Sequence, residues 1–568
     1  MTEARFGSAV RLLAAGALAA APACGDDNGN PCARLTCQAG ATCVFDGYYA
    51  FCSCEPGRDL VGGRCVGPDG GDAGDGDIAD AAGGFWGDGP VDVRFPEGFL
   101  WGTASSAYQV EGTAAADGGT AASNWSDWEA ADRIRGGQRS GRGAGFREMY
   151  EEDLDRAVGL GNNAIRIGIE WARIEPQDDV WDEAELEHYA AVVRAARTRG
   201  LQVMVTLYHW VVPQWIQHPS ARPPVDLLAS DSDEFETAFE DFARRVAGRL
   251  AADVDLWVPL NEPFSVLSAG YLNAEHPPGG VLDMEGAQKA AVRFIFGHAR
   301  AARAIREVDT ADADGDGRPA LVGYAAVAST FHPKNPDAPR DVFAAGRIGY
   351  IVNDIFIEAW TSGRLDVNMD GDFDDAGTVP PEGTYADLAG TLDWIGVNYY
   401  GPARAEAGVF AGAAPLHGMP LLDVAEYDPS LPHNEMGREI SAPEFLETFR
   451  LYARWGLPLY VTENGISDSG DVQRPFYLLE HVRVVGRAIA EGIDVRGYLH
   501  WSLTDNFEWS YGFDKRFGLF RVDFGDPTLP RTENASARLY REIATRGGID
   551  QALWDEWKLD RYPTDRRP

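Results

Sequence analysis

The sequence predicts an α/β fold in which eight parallel strands close into a (β/α)8 barrel. Three observations support this. From residue 93 to residue 568, short β-branched or apolar runs alternate with segments of helical period; the strand-like runs number eight; and several of them end in polar or aromatic residues. Eight strands suffice to close a parallel sheet into a barrel, and the carboxyl ends of such strands meet on one face.

The strand-like runs are rich in Val, Ile, Leu and aromatic residues. They cover 99–106, 163–171, 202–210, 255–263, 320–329, 392–400, 458–465 and 495–503. Between them, apolar side chains recur at helical spacing, for example in 181–200, 233–250, 286–308 and 474–492. An open, doubly wound sheet is the alternative. Six of the runs carry polar or aromatic residues at their carboxyl ends. A barrel, in which those ends meet on one face, explains this better than an open sheet does.

Composition and charge restrict the partners of the chain. Hydrophobic residues make up 45% and charged residues 24%, as in ordinary soluble globular proteins. The formal net charge of −38 opposes binding to nucleic acid or to an anionic lipid surface, since both require a basic face. We therefore expect no nucleic-acid partner, and membrane contact only through a covalent anchor.

The amino-terminal segment has the pattern of an export signal. Arg5 and Arg11 flank the start of an apolar run at 12–21, which is too short to span a bilayer. The run leads into Ala21-Pro22-Ala23-Cys24, which is similar to a bacterial lipoprotein cleavage site. The prediction is a signal peptide at 1–23, lipid on Cys24, a tether at 24–31 and a location at the bacterial cell envelope. An ordinary secretory signal, giving a periplasmic or extracellular protein, is the alternative.

All seven cysteines lie within the first 65 residues, and six remain once Cys24 is set aside. Their spacing at 32–65 resembles the EGF-like module, although spacing alone leaves the connectivity open. The resemblance implies the disulfides Cys32–Cys43, Cys37–Cys52 and Cys54–Cys65. A zinc site is the alternative, but no histidine accompanies these cysteines, and export favours disulfides. Residues 66–92 are rich in Gly, Asp and Ala and predict a flexible linker.

Two Asp-rich stretches have the alternating oxygen ligands and central glycine of a calcium loop. The first is 312–317, and the second contains Asp366, Asn368, Asp370, Asp372 and Asp374. Neither has a glutamate at the twelfth place, where Gly323 and Gly377 stand. Solvated surface turns are therefore the alternative, and the second stretch, with more carboxylates, is the better candidate for a structural Ca²⁺.

Two carboxylates stand at the ends of predicted strands four and seven. Glu262 lies in Asn-Glu-Pro and Glu463 in Thr-Glu-Asn-Gly. These strands are not neighbours in an eight-stranded barrel, so their ends face each other across its mouth. Glycoside hydrolysis uses such a pair, one to protonate the leaving oxygen and the other to attack the anomeric carbon or activate water. A buried ion pair is the alternative for either glutamate alone.

Six segments resemble glycoside hydrolase family 1. They are FLWGTASSAYQVEG, LYHW, WVPLNEPF, WIGVNYY, YVTENG and YLHWSLTDNFEWSYGFDKRFGLFRVDF, which follow the family order between Phe95 and about Asp523. The segments RIGIEWAR, DWIGVNYY and DVRGYLHWSLTDN are most similar to the archaeal-type β-glycosidases of that family. Pro259 before Asn-Glu-Pro and Val211 after His-Trp depart from the family pattern.

The resemblance implies a role for each matching residue. Glu463 is the expected nucleophile and Glu262 the acid/base, with Arg166 and Tyr400 supporting the nucleophile. The expected substrate-binding residues are Gln109, His209, Trp210, Asn261, Asn398, Trp501, Glu508, Trp509 and Phe517. Amide and carboxylate forks suit sugar hydroxyls, whereas tryptophan faces suit the C–H face of a pyranose. The Glu-Trp at 508–509 favours an unphosphorylated sugar.

The expected activity is a retaining β-glycosidase acting on terminal β-glucosyl or β-galactosyl residues by double displacement. Retention requires the two carboxyl groups to lie about 5–5.5 Å apart. This chemistry uses no cofactor, and the expected partner is a carbohydrate. A catalytically weak glycan-binding protein and a transglycosylase are the alternatives. Glucoside and galactoside remain open, because Gln109 and Glu508 can hydrogen bond either orientation of the 4-hydroxyl.

Overall fold

The computed structural model describes residues 91–113, 121–375, 377–407 and 432–558 with their side chains. It also describes the backbone of the strands Ala41–Phe45, Ala50–Cys54, Asp59–Val61, Arg64–Val66 and Leu422–Ala425. The predicted lipid-bearing Cys24 lies outside the described residues, as do the side chains of the six module cysteines. The linker prediction likewise falls almost entirely on residues that are not described.

The chain divides into two units, residues 1–75 and 76–568. In the first unit, Ala41–Phe45 pairs antiparallel with Ala50–Cys54, and Asp59–Val61 pairs antiparallel with Arg64–Val66. These are two short hairpins. The second unit contains the predicted barrel.

Eight parallel strands form a closed barrel, as predicted. In chain order they are β1 (Leu100–Ala104), β2 (Ala164–Gly168), β3 (Gln202–Tyr208), β4 (Leu256–Leu260), β5 (Leu321–Ala328), β6 (Trp394–Tyr399), β7 (Leu459–Asn464) and β8 (Val495–Trp501). Each strand pairs with the next, and β8 closes the ring on β1 with Gly497 opposite Leu100 and Trp501 opposite Ala104. Every strand lies inside one of the predicted runs.

Helices cover the outside of the barrel. In chain order they are α1 (Phe146–Gly159), α2 (Glu183–Thr198), α3 (Glu234–Leu250), α4 (Met284–Val308), α5 (Ile355–Ser362), α6 (Ala442–Ala453), α7 (Arg474–Ala490) and α8 (Ala535–Arg546). Local signals set their ends: Asp182 caps α2 by accepting from the backbone N–H groups of Ala184 and Glu185. Within the described part of the chain, no helix combines the length and apolarity needed to cross a bilayer.

Further helices, turns and small sheets extend the β/α units. The helices are Ala107–Glu111, Asn124–Ala130, Trp171–Ile174, Pro263–Val266, Pro339–Asn353 and Gln551–Trp557, with a π turn at Leu267–Leu272 and 3-10 turns at Arg135–Gly137 and Trp509–Asp514. Phe331–Pro333, Ala403–Ala407 and Leu422–Ala425 form a small sheet, and Val93–Arg94 pairs with Gly548–Ile549. Further two-residue or three-residue strands are Gln217–His218 with Val225–Asp226, Arg364–Leu365 with Gly383–Thr384, and Phe520–Val522 with Arg531–Glu533.

The barrel interior is filled by side chains rather than open. Trp394 on β6 is buried there and packs edge-on against Tyr460 of β7, with ring centroids 5.0 Å apart. Gly323 on β5 makes room for this indole, because a Cβ built at that position would lie 2.1 Å from a ring carbon. The filled interior leaves the carboxyl ends of the strands as the floor of a site.

Candidate active site

A cavity of about 430 Å³ opens at the carboxyl ends of the barrel strands, within the usual size of a small-molecule site. Eleven of the predicted site residues line it: Gln109, His209, Trp210, Glu262, Asn398, Tyr400, Glu463, Trp501, Glu508, Trp509 and Phe517. The other two, Arg166 and Asn261, are fully buried and hydrogen bond to lining residues.

Glu463, at the end of β7, is held by two donors. Arg166 on β2 donates from Nη1 to Oε1 at 2.6 Å, and Tyr400 donates from its hydroxyl to Oε2 at 2.7 Å. Burial raises the pKa of Glu463 to about 7, while Arg166 and Tyr400 act in the opposite direction. Both donors stabilise the carboxylate form and fix the side chain facing the cavity.

Glu262 follows β4 directly and has neutral partners. Asn398 on β6 donates from Nδ2 to Oε1 at 2.8 Å, and Ser265 donates from its hydroxyl to Oε2 at 2.7 Å. Burial raises the pKa of Glu262. Because the guanidinium contacts Glu463 and not Glu262, the charge of the pair is favoured on Glu463 and the proton on Glu262.

A buried amide and guanidinium layer joins the two glutamates. Asn261 Oδ1 accepts from Nη2 of Arg166 at 2.6 Å and from Nδ2 of Asn398 at 3.0 Å. Asn261 Nδ2 therefore faces Nε2 of His209, 3.0 Å away, which must accept and leaves the imidazole proton on Nδ1. Burial, aided by Arg166, lowers the pKa of His209 well below its usual value. The histidine is a neutral donor in the wall of the cavity.

The far wall carries an amide and a carboxylate suited to hydroxyl groups. Gln109 is fully buried; its Nε2 donates to Oε2 of Glu508 at 3.1 Å, and its Oε1 accepts from Ser106 at 2.7 Å. Burial raises the pKa of Glu508 to about 7, against the lowering effect of Arg438. Such a fork can accept from and donate to neighbouring hydroxyls of one ligand.

Aromatic rings form the rest of this wall. Trp509 stacks on Tyr108 with centroids 5.4 Å apart and contacts Trp210 at 4.5 Å. His209 lies between Trp509 and Trp501, at 5.7 Å and 5.9 Å. A rigid cluster of this kind presents flat apolar surface beside polar forks, which is the combination that binds a pyranose ring.

Three lining residues have left-handed backbone conformations, with φ of 69° at Trp210, 45° at Glu262 and 49° at Trp509. Non-glycine residues in this region cost about 1–3 kcal/mol each and persist where the surrounding structure enforces them. Here the turn directs each side chain into the cavity directly after a strand or loop. The sequence alone contains no signal for this geometry.

The family model for glycosyl hydrolase family 1 matches residues 91–549. The chain belongs to this family. A β-galactosidase of Pyrococcus woesei is 32% identical over 526 residues, which cover 81% of this chain and 99% of the relative. A bifunctional β-D-glucosidase/β-D-fucosidase of Bifidobacterium breve is 33% identical over 480 residues, with coverages of 76% and 94%.

Solved structures of family members agree. The β-glycosidase of Pyrococcus horikoshii superposes with a TM-score of 0.69 at 29% identity, and the match covers 82% of this chain and 99% of that chain. A β-glucosidase of Thermotoga maritima in complex with galacto-hydroximolactam gives 0.69 at 26% identity, with coverages of 80% and 100%. The predicted family and barrel are confirmed.

Several residues that line the cavity were not predicted, and two of them act on Glu262: Ser265 and Arg438. Ser265 hydrogen bonds to Glu262 and lines the cavity; its place three residues after the glutamate, at a strand-to-helix turn, is the available sequence signal. Arg438 also lines the cavity. It lies between β6 and α6 in a stretch with no periodic pattern, so nothing in the sequence distinguishes it from a surface arginine.

The two predicted calcium loops differ in geometry. In the first, Asp312 and Asp314 gather with Asp255, so that one carboxylate oxygen of each lies within 4.8 Å of the others. In the second, no three carboxylates of the described residues come so close together; Asp366 instead accepts from the hydroxyl of Tyr350 at 2.7 Å and from backbone N–H groups. Exposed acidic groups of either kind are common without a cation, and calcium binding stays a prediction.

Proposed function

We propose that this chain is a retaining β-glycosidase that removes terminal β-D-glucosyl or β-D-galactosyl residues from oligosaccharides or aryl and alkyl glycosides. The observation that carries the proposal is the pair Glu262 and Glu463, which follow the non-adjacent strands β4 and β7 and lie in one cavity with different hydrogen-bond partners. Those partners give the glutamates the two protonation states that double displacement needs.

In the first step, Glu463 attacks the anomeric carbon as a carboxylate. The bond from that carbon to the aglycone oxygen breaks, and the proton of Glu262 passes to the departing oxygen. Arg166 and Tyr400 keep Glu463 charged and aligned for attack. The product of this step is a covalent glycosyl ester of Glu463.

In the second step, water replaces the aglycone. Glu262, now a carboxylate, takes a proton from the water as the oxygen attacks the anomeric carbon, and Glu463 leaves. Esterification removes the negative charge of Glu463 from the cavity. Loss of a nearby like charge lowers the pKa of a carboxyl group, so Glu262 remains a carboxylate until it accepts the proton of the water. Two inversions give overall retention.

The sugar preference rests on Gln109, Glu508 and the aromatic wall. The fork of Gln109 and Glu508 supports a ligand with adjacent free hydroxyls, and no phosphate is expected beside a carboxylate. The names of the relatives, β-galactosidase and β-glucosidase, favour these two glycones. The predicted contacts of His209, Asn261 and Trp501 with sugar hydroxyls and the ring face belong to the same proposal.

The experiment is release of nitrophenol from aryl β-glucoside and β-galactoside, with a panel extended to fuco and manno glycosides. Glu463→Gly should abolish release, and added azide should restore it with an α-glycosyl azide as product. Glu262→Ala should instead be rescued with a β-azide. Wild-type enzyme that binds these glycosides without turnover would favour a glycan-binding protein, and dominant transfer to sugar acceptors would favour a transglycosylase.

We also propose that the protein is exported and held at the cell envelope by lipid on Cys24, with the 32–65 module and the 66–92 linker between anchor and barrel. The support is the residue pattern of the first 92 residues. Expression of wild type and Cys24→Ala in a bacterial host tests this: wild type should fractionate with membranes, and Cys24→Ala with the soluble fraction. Non-reducing mass mapping tests the three EGF-like disulfides.

A structural Ca²⁺ at Asp366, Asn368, Asp370, Asp372 and Asp374 is the remaining proposal. It is supported by the alternation of oxygen ligands and by the burial of Asp366. Calorimetric titration of the protein with Ca²⁺, and melting temperatures with and without Ca²⁺, test this proposal. The same measurements on Asp372→Asn are compared with those on wild type. An unchanged melting temperature with no binding heat would reject a cation at this loop.

A further inference from the structure

We propose that Arg438 selects substrates whose leaving group carries a carboxylate. The inference rests on the proposed glycosidase function and adds a specificity on the aglycone side of the same cavity. It starts from an exposed arginine that lines the cavity and to which no role has yet been assigned.

A short self-bonded turn holds Arg438 in place. The side chain of Asn434 accepts from the backbone N–H of Met436 at 2.9 Å and of Arg438 at 3.1 Å. The backbone N–H of Asn434 donates to the carbonyl of Arg438 at 3.0 Å, and that of Gly437 to the carbonyl of Asn434 at 3.0 Å. This turn presents the arginine from a defined backbone, which lowers the entropic cost of using it in binding.

The acidic neighbours of Arg438 have other partners. Glu435 accepts from Ser467 and Ser469, at 3.2 Å and 2.8 Å. Glu439 pairs with Arg404 at 3.6 Å. Among the described residues, no carboxylate forms an ion pair with Arg438. Its guanidinium thus retains donors for a ligand.

The position of Arg438 assigns it to the leaving group. Its guanidinium carbon lies 5.6 Å from the ring centroid of Tyr400, whose hydroxyl contacts Glu463. Its charge acts on Glu262, the acid that protonates the leaving oxygen, as well as on Glu508 of the glycone wall, so its exposure decides between the two sides. The glycone forks Gln109 and His209 are buried, whereas Arg438 is exposed, so it stands at the outer part of the cavity through which an aglycone leaves.

A guanidinium favours a planar oxyanion, because two parallel N–H donors match the two oxygens of a carboxylate. The competing explanation is that Arg438 only offsets the negative charge of Glu262, Glu463 and Glu508. The two explanations differ in one measurable respect. A charge-balancing arginine affects all substrates alike, whereas a recognition arginine affects charged leaving groups more than neutral ones.

The test compares 4-carboxyphenyl and 4-carbamoylphenyl β-D-glucoside, which share a ring and differ in charge. The ratio of interest is kcat/KM for the carboxyphenyl glucoside divided by kcat/KM for the carbamoylphenyl glucoside. We expect Arg438→Met to lower this ratio by about tenfold or more, the effect of losing one charge-assisted hydrogen bond. The change should appear mainly as a higher KM for the carboxylate. Arg438→Lys should retain part of the preference, and added salt should weaken it in wild type.

Arg194→Met is the matched control, since it removes one half-buried, ion-paired arginine from the outer helix α2 and should leave the ratio unchanged. Equal loss on both substrates in Arg438→Met, with the ratio within about twofold of wild type, would overturn the inference. Hydrolysis of neither substrate by wild type would instead contradict the proposed function. Melting temperatures of all variants verify folding.

Discussion

The hydroxyl of Ser265 donates a 2.7 Å hydrogen bond to Oε2 of Glu262, and Asn398 donates to the other oxygen at 2.8 Å. Neither partner is charged. The proposed general acid therefore has its position fixed by hydrogen bonds that do not force it to ionise, in contrast to Glu463 with its guanidinium.

Ser265→Ala removes one of these bonds. Because the bond favours the carboxylate, the pKa of Glu262 should rise and the basic limb of the kcat/KM profile should move up by about half a unit to one unit. Aryl glycosides with good leaving groups should lose little activity, and alkyl glycosides should lose about tenfold, since they need protonation. Ser265→Thr keeps a hydroxyl and should restore most of the rate. Equal effects on both substrate types would contradict a role through Glu262.

Tyr400→Phe should weaken the nucleophile. It removes the 2.7 Å donor to Oε2 of Glu463, and a hydrogen bond to a charged group contributes about 1.5–3 kcal/mol. We expect kcat to fall by about tenfold to a hundredfold. The pKa of Glu463, about 7 in the free enzyme, should rise further, so the acid limb of kcat/KM should move to higher pH. An acid limb that stays in place would exclude Glu463 as the titrating group.

The pH dependence of wild type follows from the same pair. Glu463 must be a carboxylate to attack, so kcat/KM should decline as pH falls below about 7. Burial raises the pKa of Glu262, so the proposed acid loses its proton at higher pH than an exposed glutamic acid does. A bell-shaped profile results, and its two limbs are properties of the coupled pair. In Glu262→Gln the basic limb should vanish; its persistence would assign it to another group.

Stereochemistry gives an independent measurement. If the carboxyl groups stand about 5–5.5 Å apart, hydrolysis proceeds with retention. Proton NMR of the first minutes of reaction on an aryl β-glucoside should show the β-hemiacetal before mutarotation produces the α-anomer. Initial appearance of the α-anomer would mean direct attack by water and would remove Glu463 from the role of nucleophile.

Packing of the barrel interior can be tested with two glycines. Gly323→Ala places a Cβ 2.1 Å from a carbon of Trp394, and overpacking of this kind typically costs about 1–3 kcal/mol. The melting temperature should fall. Gly346→Ala, in the helix Pro339–Asn353 with no atom within 4 Å of the added Cβ, should instead raise the free energy of unfolding by about 0.4–1 kcal/mol. Equal effects would argue against the packing explanation.

The sequence by itself determined the barrel and the pair Glu262 and Glu463. Strand-like runs and helical period are local patterns, and the polar residues at the strand ends required only the rule that parallel strands finish on one face. The net charge of −38 predicts that nucleic acid is not a partner, and this prediction needs no knowledge of the fold.

Only the tertiary structure decided which hydrogen-bond donors contact Glu463 and which contact Glu262. Arg166 and Glu463 are 297 positions apart, and their contact depends on how two distant strands are placed around the ring. Ser265 and Arg438 lie in turns where side chains follow no period, so their direction is set by backbone conformation and neighbouring packing. The left-handed backbone conformation at Glu262 illustrates the difference. The sequence places Glu262 at a strand end, but only this turn, set by the tertiary structure, directs its side chain into the cavity.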